Sequence, residues 1–188
     1  PFIQSFFFLS ADFYWDEPAC DGNVIQFYTS ASDNPDSVRW TFPDGSQSTA
    51  LNPSYLFPNT GLFGVQLVVH IYGVSKNVSR LIRINPATTV NIGNDTIICA
   101  NEAFYLNPGA YNTYQWQNDA TTQTRVTDTT GWYWCRVTNQ FGCPAIDSAY
   151  IVVNPNPETY AGPDASVPEG NTITLQGEVE GGSGTYTY

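Results

Sequence analysis

The chain has 188 residues, 41% of them hydrophobic, so it is long enough to bury one large or two small cores. Its formal net charge is -11, with 6 Lys and Arg against 17 Asp and Glu, which leaves no basic surface for phosphates and excludes a nucleic-acid partner. A charged fraction of 12% and many Tyr, Thr, Ser and Asn residues favour an extracellular β protein over a cytosolic helical enzyme.

The first stretch, "PFIQSFFFLSADFYW", is apolar but interrupted. Gln4, Ser5, Ser10 and Asp12 break it well short of the ~20 apolar residues that a membrane-spanning helix needs. We predict that residues 1–10 are a linker or the end of a preceding module, followed by an aromatic first strand. Because methionine is absent and the chain stops within a motif, we expect an internal piece of a longer protein, with any signal peptide or anchor elsewhere.

Three segments share one alternating pattern. Each places two apolar side chains on one face: Ile25 and Phe27 in "NVIQFYTSAS", Phe104 and Leu106 in "EAFYLNPGA", Ile173 and Leu175 in "NTITLQGEV". The first two segments are each followed by a strand centred on tryptophan, "SVRWTF" and "TYQWQN". The spacing of about 70 to 80 residues is that of a small domain. The sequence therefore predicts two complete modules and the start of a third.

Both complete modules continue with a glycine and an alternating strand led by an aromatic residue. The side chains predicted to face inward are Phe63, Val65, Leu67 and Val69 in the first module, and Tyr133, Cys135 and Val137 in the second. Each module then closes on a β run that ends in Asn-Pro, at Asn85-Pro86 and Asn154-Pro155, which predicts a strand exit and a boundary. Many short strands with turns between them predict all-β, tandem immunoglobulin-like sandwiches.

The motifs of the first module carry a resemblance to a known family. Trp40, Phe42, Asp44 and Gly45, then Pro53, Tyr55 and Phe57, then the glycine-led strand, make residues 11–87 resemble a PKD domain; Pro43 departs from the glycine usual there. Residues 88–154 resemble the Ig-like repeats of long surface proteins in Bacteroidetes-type bacteria, and 155–188 resemble the start of another such module. The resemblance implies a rod of modules with no single activity.

The turn "PDG" after Trp40 and Phe42 has two interpretations. In the favoured one, the two aromatic side chains fill a core and Pro43-Asp44-Gly45 only reverses the chain. In the alternative, Asp44 joins Asp33 and Asp36 as weak candidates for Ca²⁺, an ion that needs six or more converging oxygens. Spacing alone does not show convergence, so no metal site is predicted.

The residue types needed for catalysis do not assemble. His70 is the single histidine and lies in the apolar run "QLVVHIY", so neither a Ser/His/Asp triad nor a two-histidine metal set is available. Asp16 and Glu17 are adjacent and would point to opposite faces of a strand. We predict a protein that is not an enzyme and carries no cofactor.

Exposed aromatic side chains are the one feature that suits ligand binding. If Tyr133 and Cys135 point inward, Trp132 and Trp134 share the outer face, where their rings could stack on a sugar or simply pack against Arg136, a strand or the next module. Surface glycans are thus one kind of partner to consider. Others implied by the resemblance are neighbouring modules and outer-membrane secretion or attachment proteins.

Cys99, Cys135 and Cys143 of the second module allow three pairings, and an extracellular destination permits disulfides. Related repeats carry cysteines before the first sheet strand and after the last hairpin, so the resemblance implies Cys99–Cys143, with Cys135 a buried thiol and Cys20 unpaired. The resemblance also implies O-glycosylation at Asp-(Ser/Thr)-small or apolar triplets. The hydroxyl residues concerned, each expected at a strand end or in a loop, are Ser37, Thr96, Thr129 and Ser148. Local capping by Asp-Ser and Asp-Thr is the alternative explanation of these triplets.

The leading functional hypothesis is a non-catalytic segment of a large secreted or cell-surface bacterial protein that acts as a stalk or adhesin. By resemblance, export would use the type IX secretion system, and gliding adhesins would be relatives. We expect an extracellular location, with attachment to the outer membrane through regions outside this chain. The alternatives are accessory modules of a secreted hydrolase and a true carbohydrate-binding module.

Overall fold

A computed structural model of the protein describes residues 9–182, and every regular element in that range is a β-strand. The all-β prediction is confirmed. The chain divides into two compact units. Unit 1 contains the residues up to Thr88 together with Thr138–Ala145, and unit 2 contains Thr89–Val137 together with the residues from Ile146 onward.

Unit 1 is built from two antiparallel sheets. The strands of the first sheet, in spatial order, are β1 (Ala11–Trp15), β2 (Val24–Ala31) and β5 (Ser54–Leu56). Those of the second sheet are β4 (Gln47–Ser48), β3 (Ser37–Thr41), β6 (Gly61–Ile71) and β7 (Val74–Ile84). Side chains from both sheets share one hydrophobic core, so the unit is a β-sandwich.

The core of unit 1 follows from strand alternation. Phe27, Trp40 and Leu67 are fully buried, and each belongs to an inward-facing set predicted from the sequence. The ring of Phe13 meets Trp40 edge-on, with 5.0 Å between ring centroids. Each such buried side chain contributes about 1.5–3 kcal/mol through removal of apolar surface from water. Phe63, predicted to be inward, is only half-buried.

The "PDG" segment is a turn after the third strand. The Phe42 N–H donates to the Ser46 carbonyl at 2.9 Å, and the Gly45 N–H donates to the Phe42 carbonyl at 2.9 Å. Gly45 has φ of 83°, a left-handed conformation in which a side chain would be strained. Asp44 Oδ1 accepts from the Ser46 N–H at 2.9 Å. The turn therefore serves the strand reversal, and the buried Trp40 and Phe42 belong to the core.

Apart from the small hairpin after Asn154, unit 2 has a four-stranded and a two-stranded sheet. The larger contains β10 (Thr113–Trp116), β12 (Gly131–Thr138), β13 (Pro144–Asn154) and β8 (Thr96–Cys99), in that spatial order. The smaller pairs β11 (Arg125–Thr127) with β9 (Phe104–Leu106). β8 runs parallel to β13 at the edge of the larger sheet. The fully buried side chains of unit 2 include Leu106, Trp116, Cys135, Val137 and Ile151.

The two units share one strand pairing scheme. In unit 1 the tryptophan strand β3 pairs with the glycine-led β6, which pairs with β7, while β2 pairs with β5. In unit 2 the same relations hold for β10, β12 and β13, and for β9 with β11. The repeated order of motifs in the sequence thus corresponds to a repeated topology.

The region after Asn154 contains only a small hairpin, β14 (Glu158–Tyr160) paired with β15 (Glu178–Glu180). The predicted alternating strand at "NTITLQGEV" is wrong up to Gly177, because residues 171–177 form no strand. Ile173 and Leu175 are 51% and 67% exposed. An alternating segment gains stability only where another layer covers its apolar face, and no such layer is present within residues 9–182.

Candidate functional site

The outer face of the larger sheet of unit 2 carries the aromatic candidates. Tyr133 is buried, whereas Trp132 is 63% exposed and Trp134 half-buried, as strand alternation requires. Gln117 holds this part of the strand from the side: its Nε2 donates to the Trp132 carbonyl at 3.0 Å, and its Oε1 accepts from the Trp134 N–H at 3.0 Å. These two hydrogen bonds fix the backbone of β12 at both tryptophans.

Tyr150 on the neighbouring strand β13 contacts Trp132. The ring centroids are 5.2 Å apart and the planes are inclined by 53°. Such an angle does not give one flat platform, so a saccharide ring could lie on Trp132 but not on both rings together. The face also carries Ile146 and Ile97, which are 64% and 67% exposed. We call the set Trp132, Trp134, Tyr150, Ile146 and Ile97 the aromatic face.

Sequence reasoning missed a second aromatic pair on an outer face, exposed Tyr14 and half-buried Tyr28 of unit 1. Tyr14 and Tyr28 are opposite each other in the β1–β2 register, and their rings stack with centroids 5.0 Å apart and planes inclined by 18°. Partial desolvation, followed by the charge of Asp16, raises the pKa of Tyr28. The alternation of Asp12, Tyr14 and Asp16 along "ADFYWD" was the signal that could have found this outward face.

Tyr133 makes the hydrogen bonds of a tyrosine corner. Its hydroxyl donates to the Thr129 carbonyl at 2.9 Å and lies 2.7 Å from Thr129 Oγ1. A tyrosine two residues before a core cysteine that bonds back to the preceding turn is a recurrent feature of immunoglobulin folds. The guanidinium of Arg125 also lies 4.9 Å from the Tyr133 ring centroid. These contacts fix the turn that leads into β12.

The three weak calcium candidates are not brought together. Asp33 Oδ2 accepts from the Tyr72 hydroxyl at 2.9 Å, and Asp44 is held by Ser46. Asp36 uses its backbone N–H to bond the His70 carbonyl at 2.8 Å. Within residues 9–182 no three His, Cys, Asp or Glu side chains converge. Asp33, Asp36 and Asp44 thus take separate structural contacts.

His70 and the acidic residues of unit 2 also have structural partners. His70 Nδ1 lies 2.8 Å from Ser75 Oγ beside the β6–β7 turn. A shallow depression in unit 2 is lined by Asp95 and Asp147, whose oxygens accept backbone N–H groups of Tyr150 at 2.7 Å and Ile92 at 2.9 Å. These carboxylates tie the segment before β8 to β13.

The predicted cysteine pairing is wrong. The disulfide joins Cys20 to Cys143, with 5.8 Å between the Cα atoms, whereas Cys99 is a free exposed thiol. The physical reason is placement: Thr138–Ala145 belongs to unit 1, so Cys143 meets the cysteine of that unit. Cys135 is a buried free thiol, as predicted, and desolvation raises its pKa.

The four candidate glycosylation residues differ in surroundings. Ser37 begins β3 and Thr129 lies in a loop, and both are exposed. Thr96 begins β8 but is half-buried, with its hydroxyl donating to the Asn94 carbonyl at 2.8 Å. Ser148 is exposed but lies within β13, so its predicted position at a strand end or in a loop is wrong. By strand alternation its hydroxyl shares the outer face of β13 with Tyr150.

No helix in residues 9–182 has the length and apolar character to cross a membrane. The described fold is that of all-β, immunoglobulin-like sandwich modules. Within this class, the sequence profile of the PKD domain matches residues 10–84, which is nearly all of the first module.

Several solved structures are similar to the chain. The PKD1 domain of Vibrio anguillarum Epp is 21% identical, with a TM-score of 0.36, over 42% of this chain and 94% of that one. The N-terminal eight Ig domains of Down Syndrome Cell Adhesion Molecule are 14% identical, with a TM-score of 0.40, over 92% and 28%. The insect immune protein hemolin is 15% identical, with a TM-score of 0.33, over 90% and 61%. No curated protein matches the chain closely enough to count as a relative.

Proposed function

We propose that the chain is a non-catalytic segment of a large secreted or cell-surface bacterial protein, in which it acts as a stalk or adhesin module. PKD and Ig-like domains are typical extracellular repeat modules, and the first unit matches such a domain over residues 10–84. The proposal includes the boundaries 11–87, 88–154 and 155–188, export by the type IX secretion system, and attachment to the outer membrane through other parts of the protein.

The Cys20–Cys143 disulfide is the observation that carries the extracellular part of the proposal. A stable disulfide forms in an oxidising compartment and is rare in the cytosol. Both cysteines are buried, at 2% and 0% exposure, so the bond is part of the packed structure of unit 1 and not a surface redox couple. An acidic protein with net charge -11 also stays soluble outside the cell.

The test is the location of the protein on native cells. An antibody against this segment should label intact cells, and protease added outside should remove the label. A strain lacking a functional type IX exporter should retain the protein within the envelope. Retention in the cytosol of wild-type cells would refute the surface location, whereas unchanged export in the mutant would refute only the route.

The aromatic face favours a second candidate, an accessory carbohydrate-binding module of a secreted hydrolase. The exposed Trp132 offers one ring face to a sugar. Glycan-array binding by the wild type, lost in Trp132→Ala but kept in Tyr14→Ala, would support it. The matched control removes an equally exposed aromatic ring, 58% against 63%, from the other unit. Equal binding by all three proteins would refute this candidate.

We also propose O-glycosylation of at least one of the four hydroxyl residues. The four residues differ in how accessible their hydroxyl groups are. Ser37 and Ser148 are exposed, and within residues 9–182 neither hydroxyl makes a hydrogen bond. The hydroxyls of Thr96 and Thr129 make local hydrogen bonds. Peptide mapping of protein from its native host should find hexose-sized additions on the two serines first. An intact mass equal to that of the bare polypeptide would refute the proposal.

A further inference from the structure

The disulfide closes a very long covalent loop. Cys20 and Cys143 are separated by 123 positions, and the strands from β2 to β12 all lie between them. Within residues 9–182, β1 alone precedes Cys20, and β13 to β15 follow Cys143. The loop thus encloses the tryptophan strand and the glycine-led strand of both units.

The two cysteines are positioned by one short stretch of unit 1. Asn85 accepts at its carbonyl from the Asp21 N–H at 2.8 Å and donates its own N–H to the Ala19 carbonyl at 2.9 Å. Cys20 is therefore aligned beside the end of β7 by backbone pairing. Both hydrogen bonds join residues of unit 1.

Cys143 is held beside Pro86 and Thr88, which follow Asn85 in the chain. Thr88 Oγ1 donates to the Cys143 carbonyl at 2.7 Å, and Asn139 Nδ2 donates to the Pro86 carbonyl at 2.9 Å. Asn139 Oδ1 in turn accepts from the Cys143 N–H at 3.1 Å. Four hydrogen bonds to residues 85–88 and one between Cys143 and Asn139 thus bring both cysteines to the same stretch, which favours this pairing in the folded chain.

We infer that Cys20–Cys143 is a force-bearing link through which a pull on the two ends of the chain bypasses the loop. Tension entering at β1 reaches Cys20, crosses the covalent S–S bond to Cys143 and leaves along β13. The segment between the cysteines carries no tension while the bond is intact. Most strands of both units are then protected from mechanical unfolding, whatever the strength of their hydrogen bonds.

The size of the protected segment sets the measurable effect. An extended chain spans about 3.3–3.6 Å per residue, so 123 positions correspond to about 400–440 Å of extension. The disulfide replaces that length with a Cα–Cα distance of 5.8 Å. Because both cysteines are buried, a reductant in solution can reduce the disulfide only after the segments around Cys20 and Cys143 open.

The biological use of this link rests on the proposed stalk function, but the experiment tests the link alone. The wild-type chain, held at both ends, would be stretched in single-molecule force spectroscopy with and without a thiol reductant. We expect the fully extended length to increase by about 400–440 Å when reductant is present. The Cys99→Ser variant, which removes the exposed free thiol, should behave as the wild type.

Because a cysteine variant could fail to fold, the extended lengths are also compared in strong denaturant. In strong denaturant, oxidised wild type should remain shorter at full extension than the Cys20→Ser variant by the same length, because the loop is covalent. Equal lengths in the oxidised and reduced states, or shortening that disappears in Cys99→Ser, would overturn the inference. Loss of surface labelling on cells would refute the stalk function and leave the link intact.

Discussion

The core tryptophans of the two units differ in the surroundings of one atom. Trp40 and Trp116 are both fully buried, and both lie on the strand that follows the first alternating segment. Trp116 Nε1 donates to the Thr122 carbonyl at 2.8 Å. Trp40 Nε1 has no hydrogen-bond partner in the described part of the chain. A change that removes only the indole N–H should therefore affect the two units differently.

Replacing each tryptophan with β-(3-benzothienyl)alanine makes this change, since sulfur takes the place of N–H and the bicyclic shape is kept. At Trp116 the replacement removes one hydrogen bond, and a net loss of about 1 kcal/mol of folding free energy is expected. At Trp40 it removes a buried unpaired donor, whose desolvation costs about 1–3 kcal/mol, so stability should stay the same or rise. The Trp40 variant should be more stable than the Trp116 variant by about 1–4 kcal/mol.

Urea unfolding of the oxidised proteins, followed by far-UV circular dichroism, measures the change. With a typical dependence of about 1–3 kcal/mol per molar urea, the Trp116 variant should lose roughly 0.3–1 M in midpoint. Native-state hydrogen exchange then assigns each effect to its own unit. Trp116→Phe and Trp40→Phe, which also lose ring volume, are the matched controls for the packing contribution.

One result would refute the reasoning about the unpaired donor. If the sulfur analogue at Trp40 destabilises unit 1 as much as the analogue at Trp116 destabilises unit 2, the Trp40 N–H has a favourable partner after all. The edge-on Phe13 ring, with its centroid 5.0 Å away, would then be examined as a π acceptor by Phe13→Leu.

Four further outcomes are expected. Tyr133→Phe should lower stability by about 1 kcal/mol in urea unfolding, because it removes the corner hydrogen bond. Tyr72→Asn should be more stable than Tyr72→Phe by roughly 0.5–1 kcal/mol, because both lose the hydrogen bond to Asp33 but only Asn suits the φ of 49° in this Xaa-Gly hairpin. A maleimide should label Cys99 in the native protein and Cys135 only in denaturant. The Arg80 guanidinium donates hydrogen bonds to the Asp12 carboxylate and lowers the pKa of that carboxyl from 3.8. The small stabilisation from this pair should be present above that value and lost as the pH falls through the lowered pKa, where wild type and Asp12→Asn converge.

The sequence predicts the faces of the long strands well. Period-two alternation depends only on the pleat and on which face is covered, so Leu67, Tyr133 and Val137 are buried as expected. The same rule is wrong for Ile173, because alternation forms a strand only where partners cover it. The alternation of apolar residues therefore predicts a buried strand face only where a second sheet covers that face.

The disulfide could not be obtained from spacing. Cys20 and Cys99 occupy equivalent places, each shortly before the strand of the alternating segment of its module, β2 or β9, so motif order makes both suitable partners for Cys143. What decides is the folded position of Thr138–Ala145 in unit 1, which depends on contacts between residues far apart in the chain. Cross-strand ring pairs such as Tyr14 with Tyr28 also require a register that the sequence alone does not give.

The assignment of Thr138–Ala145 to unit 1 bears on how such a chain could be inherited. A gene fragment that ends at the Asn85-Pro86 boundary would encode a first unit without its own covering loop and without the thiol that pairs with Cys20. Duplication or exchange of single modules at that boundary would therefore leave an odd cysteine at each new junction. The disulfide of unit 1 can form within one chain only where both segments, the one with Cys20 and the one with Cys143, stay together.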